Sequence, residues 1–245
     1  MFRFLSLAIW FVVGLLLQAP FARATGLVVY TEDFPPYNYL GPDGEVTGTS
    51  TERVRQLLDL AGLDYQIRLV PWSRAVQLSR TEPNALIYTL ARTPKRDSFY
   101  DWLMPLMRSE YHLFGRSEDN RPVTLEALKA GDFRTACVTA NISCEMLAWM
   151  GVPADKITRL PNQGILDLQM VLAGRADIYF NDLEGHKAQL KQAGLSAAFF
   201  RDAMRVPYEG GFYLAAGRQV PTEIRTKIRQ AYDALLRAGE MTAPR

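Results

Sequence analysis

The stretch TLARTPKRDSFYDW, Thr89 to Trp102, decides how the rest of the chain is read. An apolar run, Ala85-Leu86-Ile87-Tyr88, leads into a Thr-x-x-x-Thr-Pro-x-Arg pattern, and an aromatic cluster follows. That order predicts a strand feeding a polar turn that opens a short helix, with Pro94 near its start and free amides in its first turn. Arg96 falls in that turn. Free amides beside a guanidinium fork suit a small carboxylate. Pairing with a surface acid is the commoner fate of an arginine, and the flanking segments have to decide between the two uses.

Upstream, Gly26 to Thr31 is rich in strand formers, and a loop dense in Pro, Gly and aromatics follows it (EDFPPYNYLGPDGEVTG). Thr49 and Glu52 have capping-box spacing. Val54, Leu57, Leu58 and Ala61 then keep to one helical face, and Gly62 stops the helix. Tyr65, Ile67 and Leu69 alternate with polar residues as a strand does, and Pro71-Trp72 opens a helix through Leu78. Up to Tyr88 the chain reads β-α-β-α-β, the pattern of a mostly parallel sheet with helices on its faces.

Downstream, Tyr111 to Gly115 is extended and Ser117 to Pro122 is polar. A second alternating set follows: strands at 134–139, 157–160 and 176–180, and helices at 125–128, 143–150, 165–173 and 182–193. Phe212 to Ala216 reads as a returning strand. Ile224, Ile228, Ala231 and Leu235 form an apolar helical stripe that needs a sheet to cover. The simplest arrangement is two α/β lobes, residues 25–112 plus 207–245 and residues 113–206, with ligands bound in the cleft at the carboxyl ends of strands.

Composition narrows the classes. Met1-Phe2-Arg3, the apolar Leu5 to Leu17 and Ala22-Arg23-Ala24 have the layout of a secretory signal peptide over residues 1–24. Its apolar core is shorter than the roughly 20 residues of a membrane span. Without Arg3 and Arg23 the chain carries 26 basic and 26 acidic side chains, a balance that argues against a nucleic-acid partner. Cys137 and Cys144 sit seven apart, and in an oxidising compartment they form a disulfide or remain buried thiols; spacing alone does not choose.

An arrangement for catalysis is hard to find. His112 lies on the extended 111–115 segment and reads as a packed residue. His186 is four after Asp182 on one helix, a poor metal pair without a third ligand. No metalloprotease, nucleophile-elbow, P-loop or dinucleotide motif occurs. Binding residues are easier to place. Tyr37 and Trp72 stand at strand ends, where rings can enclose a solute or face a cation. Asp182 follows the 176–180 strand and is either a helix N-cap or an acceptor for a ligand ammonium opposite Arg96.

With these residues in view, the chain over 26–240 resembles the extracellular solute-binding protein family 3, the periplasmic polar amino-acid receptors of ABC importers. Pro35-Pro36-Tyr37 with Gly41, Gly44 and Gly48 is similar to that family's opening pattern. The block Thr89 to Arg96, followed by Phe99 to Leu106, looks like its most specific signature, and Gly174-Arg175-Ala176-Asp177 through Asp182 like its second-lobe motif. The resemblance implies a two-lobed periplasmic-binding-protein fold of type II, α/β, each lobe a mostly parallel sheet with flanking helices. It implies a monomer without cofactor or metal, secreted to the periplasm, that captures a small zwitterion, an amino acid, for an inner-membrane ABC permease. Arg96 would hold the ligand carboxylate with the Thr89 hydroxyl and the Ala91 N–H, Asp182 the ammonium, Tyr37 and Trp72 the side chain, and Ser143 a second-lobe contact. Arg92 departs from the pattern: a second guanidinium there means an acidic ligand, or a brace for a neighbouring acid. Two rivals accompany this reading. A dehydratase of small acids on the same fold would need Glu209 or Glu184 as its acid, and a sensor module would serve a separate membrane partner.

Overall fold

The structure is a computed structural model that describes residues 26–161 and 164–242; the expected secretion signal lies outside the described residues. The first half runs β1 (Leu27–Thr31), the two-residue strands β2 (Tyr39–Leu40) and β3 (Val46–Thr47), α1 (Thr49–Leu60), β4 (Tyr65–Leu69), α2 (Trp72–Thr81), β5 (Ala85–Ala91) and β6 (Tyr100–Arg116). The second runs α3 (Leu125–Ala130), β7 (Thr135–Val138), α4 (Ile142–Trp149), β8 (Ile157–Leu160), α5 (Leu166–Leu172), β9 (Ile178–Asp182), α6 (Leu183–Ala193), β10 (Phe200–Gly217) and α7 (Thr222–Ala238).

Strand order explains the two lobes. The main sheet runs β4-β1-β5-β10-β6-β9-β7-β8. Its ends are two parallel sets, β4-β1-β5 and β9-β7-β8. Between them stand β10 and β6, antiparallel to each other and to their outer neighbours. All seven residues of β5 are buried, as expected of a strand paired on both edges and covered on both faces. On α1, Val54, Leu57 and Leu58 are buried, and on α7 Ile228, Ala231 and Leu235, so each apolar stripe read from the sequence faces the core.

Three local expectations are corrected. The Thr49–Glu52 capping box does not form, because the cap of α1 is Gly48 at φ 119°. A Cβ at Gly48 would meet the Tyr37 carbonyl oxygen at 2.4 Å, so only glycine lets the chain approach there. The helix amides are satisfied instead by the preceding loop: Thr49 N donates to Pro36 O (3.1 Å) and Ser50 N to Tyr37 O (2.9 Å). No helix opens at Pro94. Residues 94–99 are successive turns, with Arg96 N donating to Thr93 O (2.9 Å) and Phe99 N to Arg96 O (3.0 Å). Finally, the short extended piece read at 111–115 is part of one 17-residue strand, β6, and the returning strand read at 212–216 is part of the 18-residue β10.

Candidate functional site

The cavity between the lobes is built at strand ends. From the first lobe come Glu32 and Phe34 after β1, Trp72 at the start of α2, Thr89 and Ala91 at the end of β5, and Arg96 in the turns that follow. From the second come Val138, Asn141 and Ser143 around the β7–α4 turn, Asp167 in α5 and Asp182 at the end of β9. The space they enclose is about 20 Å³, room for roughly one water; pockets for small molecules start at about 300 Å³. Admitting a solute therefore requires the two walls to separate.

The bonds that must part are specific. Arg96 is 2% exposed. Its Nη1 donates to Ala91 O within its own lobe (2.9 Å), while Nη2 donates to Ala140 O (3.0 Å) and Nε to Glu145 Oε1 (2.9 Å) across the cleft. Thr93 Oγ1 donates to the other oxygen of Glu145 (2.9 Å). The Trp72 indole also donates to Ala140 O (2.9 Å), a carbonyl held at a residue of φ 64°. Below them, the Tyr37 hydroxyl donates to Asp182 Oδ1 (2.5 Å).

The sequence reading placed Arg96, Asp182, Thr89, Ala91, Trp72 and Ser143 at the site, and the fold brings all six to this cavity. Several uses differ from those expected. Arg96 meets a carboxylate, but that of Glu145. Ala91 offers Arg96 its carbonyl. Thr89, at φ 54°, donates its hydroxyl to Asn38 Oδ1 (2.5 Å). Ser143 Oγ accepts the Val138 amide (3.1 Å). Tyr37 stands behind the cavity wall, stacked at a tilt against Phe212 at 5.3 Å, and acts through Asp182. Of the two uses open to Arg92 the structure shows the brace and not a place on the ligand side: it follows the last residue of β5, projects to the outer face, and pairs with Asp97 at 3.0 Å with about half its side chain in solvent. It does not line the cavity. His186 turns from Asp182 to the Tyr179 hydroxyl (2.5 Å) and stacks on Phe114 at 3.7 Å. Glu184 is exposed and pairs with Lys187, and Glu209 lines an outer groove beside Arg108 and Arg205, so neither carboxyl faces the cavity.

Of the two uses read from the sequence for Asp182, the structure shows the helix cap. Asp182 Oδ1 caps α6, accepting the Gly185 amide at 3.0 Å, and also accepts from Tyr37. Its Oδ2 has no hydrogen-bond partner among the described residues, although the residue is 3% exposed. Burial raises its pKa against the lowering pull of the Tyr37 and Gly185 bonds.

Two further acids were missed from sequence, because nothing in their spacing marks them as cleft residues. Glu32 is 4% exposed; burial raises its pKa well above the carboxylate range, with Asp33 and Asp167 adding to the rise and Arg96 opposing it. Asp167 accepts from Leu168 N (2.8 Å) and Gln189 Nε2 (3.1 Å), and burial pushes its pKa up to about 7. Gln189 also accepts from Asn181 Nδ2 (2.9 Å), so the second-lobe wall is one buried polar network. Glu145 too escaped notice, since its partner is 49 residues away.

Asp167 makes stability pH-dependent in a defined direction. The folded chain keeps its proton up to about pH 7, whereas the unfolded chain releases it near 3.8, so this carboxyl lowers stability as pH rises through that window. His186, held down to about 4 by burial, acts oppositely between 4 and 6.5. The difference between wild type and Asp167→Asn isolates the first effect. We expect the wild-type stability to fall more steeply between pH 5 and 7, by up to about 1.4 kcal/mol per pH unit. Parallel denaturation curves across that range would contradict it.

Two parallel sets joined by two long antiparallel strands, with polar groups converging from both walls, define a type II periplasmic-binding-protein fold. The sequence profile of bacterial extracellular solute-binding proteins, family 3, matches residues 27–243, and the chain belongs to that family. No curated protein matches the sequence. Among solved structures, a histidine kinase sensor domain with similarity to periplasmic binding proteins is similar at TM-score 0.77 and 20% identity, covering 88% of this chain and 92% of that one. The arginine-, lysine-, histidine-binding protein ArtJ from Geobacillus stearothermophilus gives 0.74 and 15%, covering 88% and 91%. A mutant of ArgBP from T. maritima gives 0.72 and 18%, covering 87% and 90%. At these identities the likeness is one of fold.

The cysteine question is resolved. Cys137 and Cys144 form a disulfide, with Cα atoms 5.1 Å apart, tying the end of β7 to the first turn of α4. Among the described residues no helix is long and apolar enough to cross a membrane.

Proposed function

We propose that this chain is a periplasmic substrate-binding protein that captures a small solute bearing an amino group, of the amino-acid class, and delivers it as a monomer to an inner-membrane ABC permease. The observation that carries the reading is the free Oδ2 of Asp182, buried at the floor of a cavity that both lobes line. An unpaired buried carboxylate oxygen is costly, and a ligand ammonium would satisfy it. Trp72, Thr89, Ala91 and Ser143 line the rest, with Tyr37 orienting Asp182. We place the lobe boundaries at 112/113 and 206/207. These points lie within β6 and β10, and the register of that pair shifts between Arg205 and Glu209, a suitable place for a hinge. Binding, not catalysis, is the role this supports.

The test is a thermal-shift screen of the mature protein against amino acids, amines and small dicarboxylates. A true ligand at a hundredfold excess over its Kd adds about 2.7 kcal/mol, or roughly 5–10 °C for a domain of this size. No shift from any class would sink the receptor reading. A second reading, a sensor module for a separate membrane partner, is favoured by the likeness to the histidine kinase sensor domain. Loaded protein that stimulates a membrane kinase, and leaves the ATPase of a reconstituted permease unchanged, would select it.

A further inference from the structure

We propose that the ligand is an organic cation, an amine or guanidinium without a carboxylate partner for Arg96, received by Glu32, Asp167 and Asp182, while Glu145 of the chain itself fills the carboxylate receptor. The inference rests on the receptor reading above, keeps its amino group or an equivalent cation, and replaces the amino-acid class with solutes that lack the carboxylate.

The charge inventory of the cavity carries it. Four ionisable acids and bases line the wall: Glu32, Asp167, Asp182 and Arg96. Arg96 offsets the three acids only in part, opposing the rise at Glu32, because its fork is already taken. Nε and Nη2 lie 2.9 and 2.8 Å from Glu145 Oε1, and Nη1 and Nη2 serve the carbonyls of Ala91 and Ala140. Thr93 completes the grip on Glu145. What remains facing the cavity is therefore acidic, and among the described residues its wall holds a buried carboxylate oxygen without a hydrogen-bond partner, Asp182 Oδ2, beside the equally unpartnered Tyr111 hydroxyl.

Carboxylates held away from water resist ionisation, and the raised pKa values of all three, each set chiefly by burial, fit that. A cation supplies a counter-charge to this wall and a donor for Asp182 Oδ2. The rings of Phe34, Trp72, Tyr111, Phe180 and Phe212 also line the cavity and present π faces or edges suited to a positive group with an apolar stem. A carboxylate ligand would instead have to displace Glu145 from both Arg96 and Thr93 and then lie against three acids. Glu145 is tethered at the start of α4, so it competes as an intramolecular group whenever the lobes close.

Calorimetry on the mature protein separates the possibilities, with agmatine as a cation lacking carboxylate, arginine as the same cation with one, and glutamate and glutamine as acidic and neutral zwitterions. The expected result is that agmatine binds at least as tightly as arginine, that glutamate does not bind, and that agmatine affinity rises from pH 5 to pH 8. Asp182→Asn keeps a good helix cap and is expected to weaken agmatine binding about 10- to 100-fold; Asp167→Asn provides the same test from α5, where no cap is involved. Glutamate or glutamine binding with agmatine inert would overturn the proposal while leaving the receptor reading intact. So would a Glu145→Gln variant that gains glutamate binding without agmatine binding. Failure of every solute class would overturn both.

Discussion

Arg96→Ala is expected to leave the protein folded but to abolish ligand capture and loosen the closed form. The side chain makes two bonds across the cleft, to Glu145 and to Ala140 O, and one within its lobe. Hydrogen bonds to a charged group are worth about 1.5–3 kcal/mol each, so losing the two cross-cleft bonds shifts closure by about 3–6 kcal/mol, at least a hundredfold. Little of this falls on global stability. When the lobes part, Glu145 reaches water and leaves no buried unpaired charge, so the usual 3–5 kcal/mol penalty of half a buried pair is relieved by opening. Small-angle scattering should show a larger radius of gyration, calorimetry no binding, and thermal unfolding only a modest fall. Arg96→Lys keeps the charge and loses the fork, and should fall between. Wild-type affinity and dimensions in Arg96→Ala would show that the arginine neither latches the cleft nor supports binding.

Removing the disulfide is expected to have the largest effect on stability itself. Cys137 and Cys144 are separated by seven residues, and for so short a loop the chain-entropy relation gives about 2–3 kcal/mol, or roughly 5–10 °C in Tm. The bridge also fixes the turn that carries Ala140, Asn141 and Ser143 and sets the start of α4, where Glu145 projects. Cys137→Ser with Cys144→Ser should therefore weaken binding as well as lower Tm. Calorimetric scans of the wild type with and without reductant, beside the double variant, check this. Coincident transitions in all three would show that the bridge contributes nothing.

Family membership matters less to these predictions than the way the arginine is used. A receptor whose lobes already hold a carboxylate–guanidinium pair has part of its closure energy supplied by the chain. Ligand then needs only to bias an equilibrium between open and closed forms, and only through contacts that differ between them. Under the proposal above the three cavity acids are the groups placed to do so, because burial in the closed cleft raises the pKa of each and solvation on opening would relieve it.

Periodicity in the sequence was enough for the alternating strands and helices, the apolar stripes of α1 and α7, and the position of Arg96 and Asp182 at opposite walls. Each of these depends on side-chain pattern over a few residues, which local chemistry dictates. The continuity of β6 and β10 was not legible, because their long antiparallel pairing crosses about a hundred residues and runs through prolines and glycines that read as breaks. Nor were the partners of Arg96 and Arg92. Whether a guanidinium meets a ligand, Asp97 or Glu145 depends on which face of a turn it leaves and what the other lobe brings. The motif from Thr89 to Trp102 thus determined by itself that a carboxylate would be met here. Only the tertiary structure decided whose carboxylate it is, because Glu145 arrives from a helix 49 residues away.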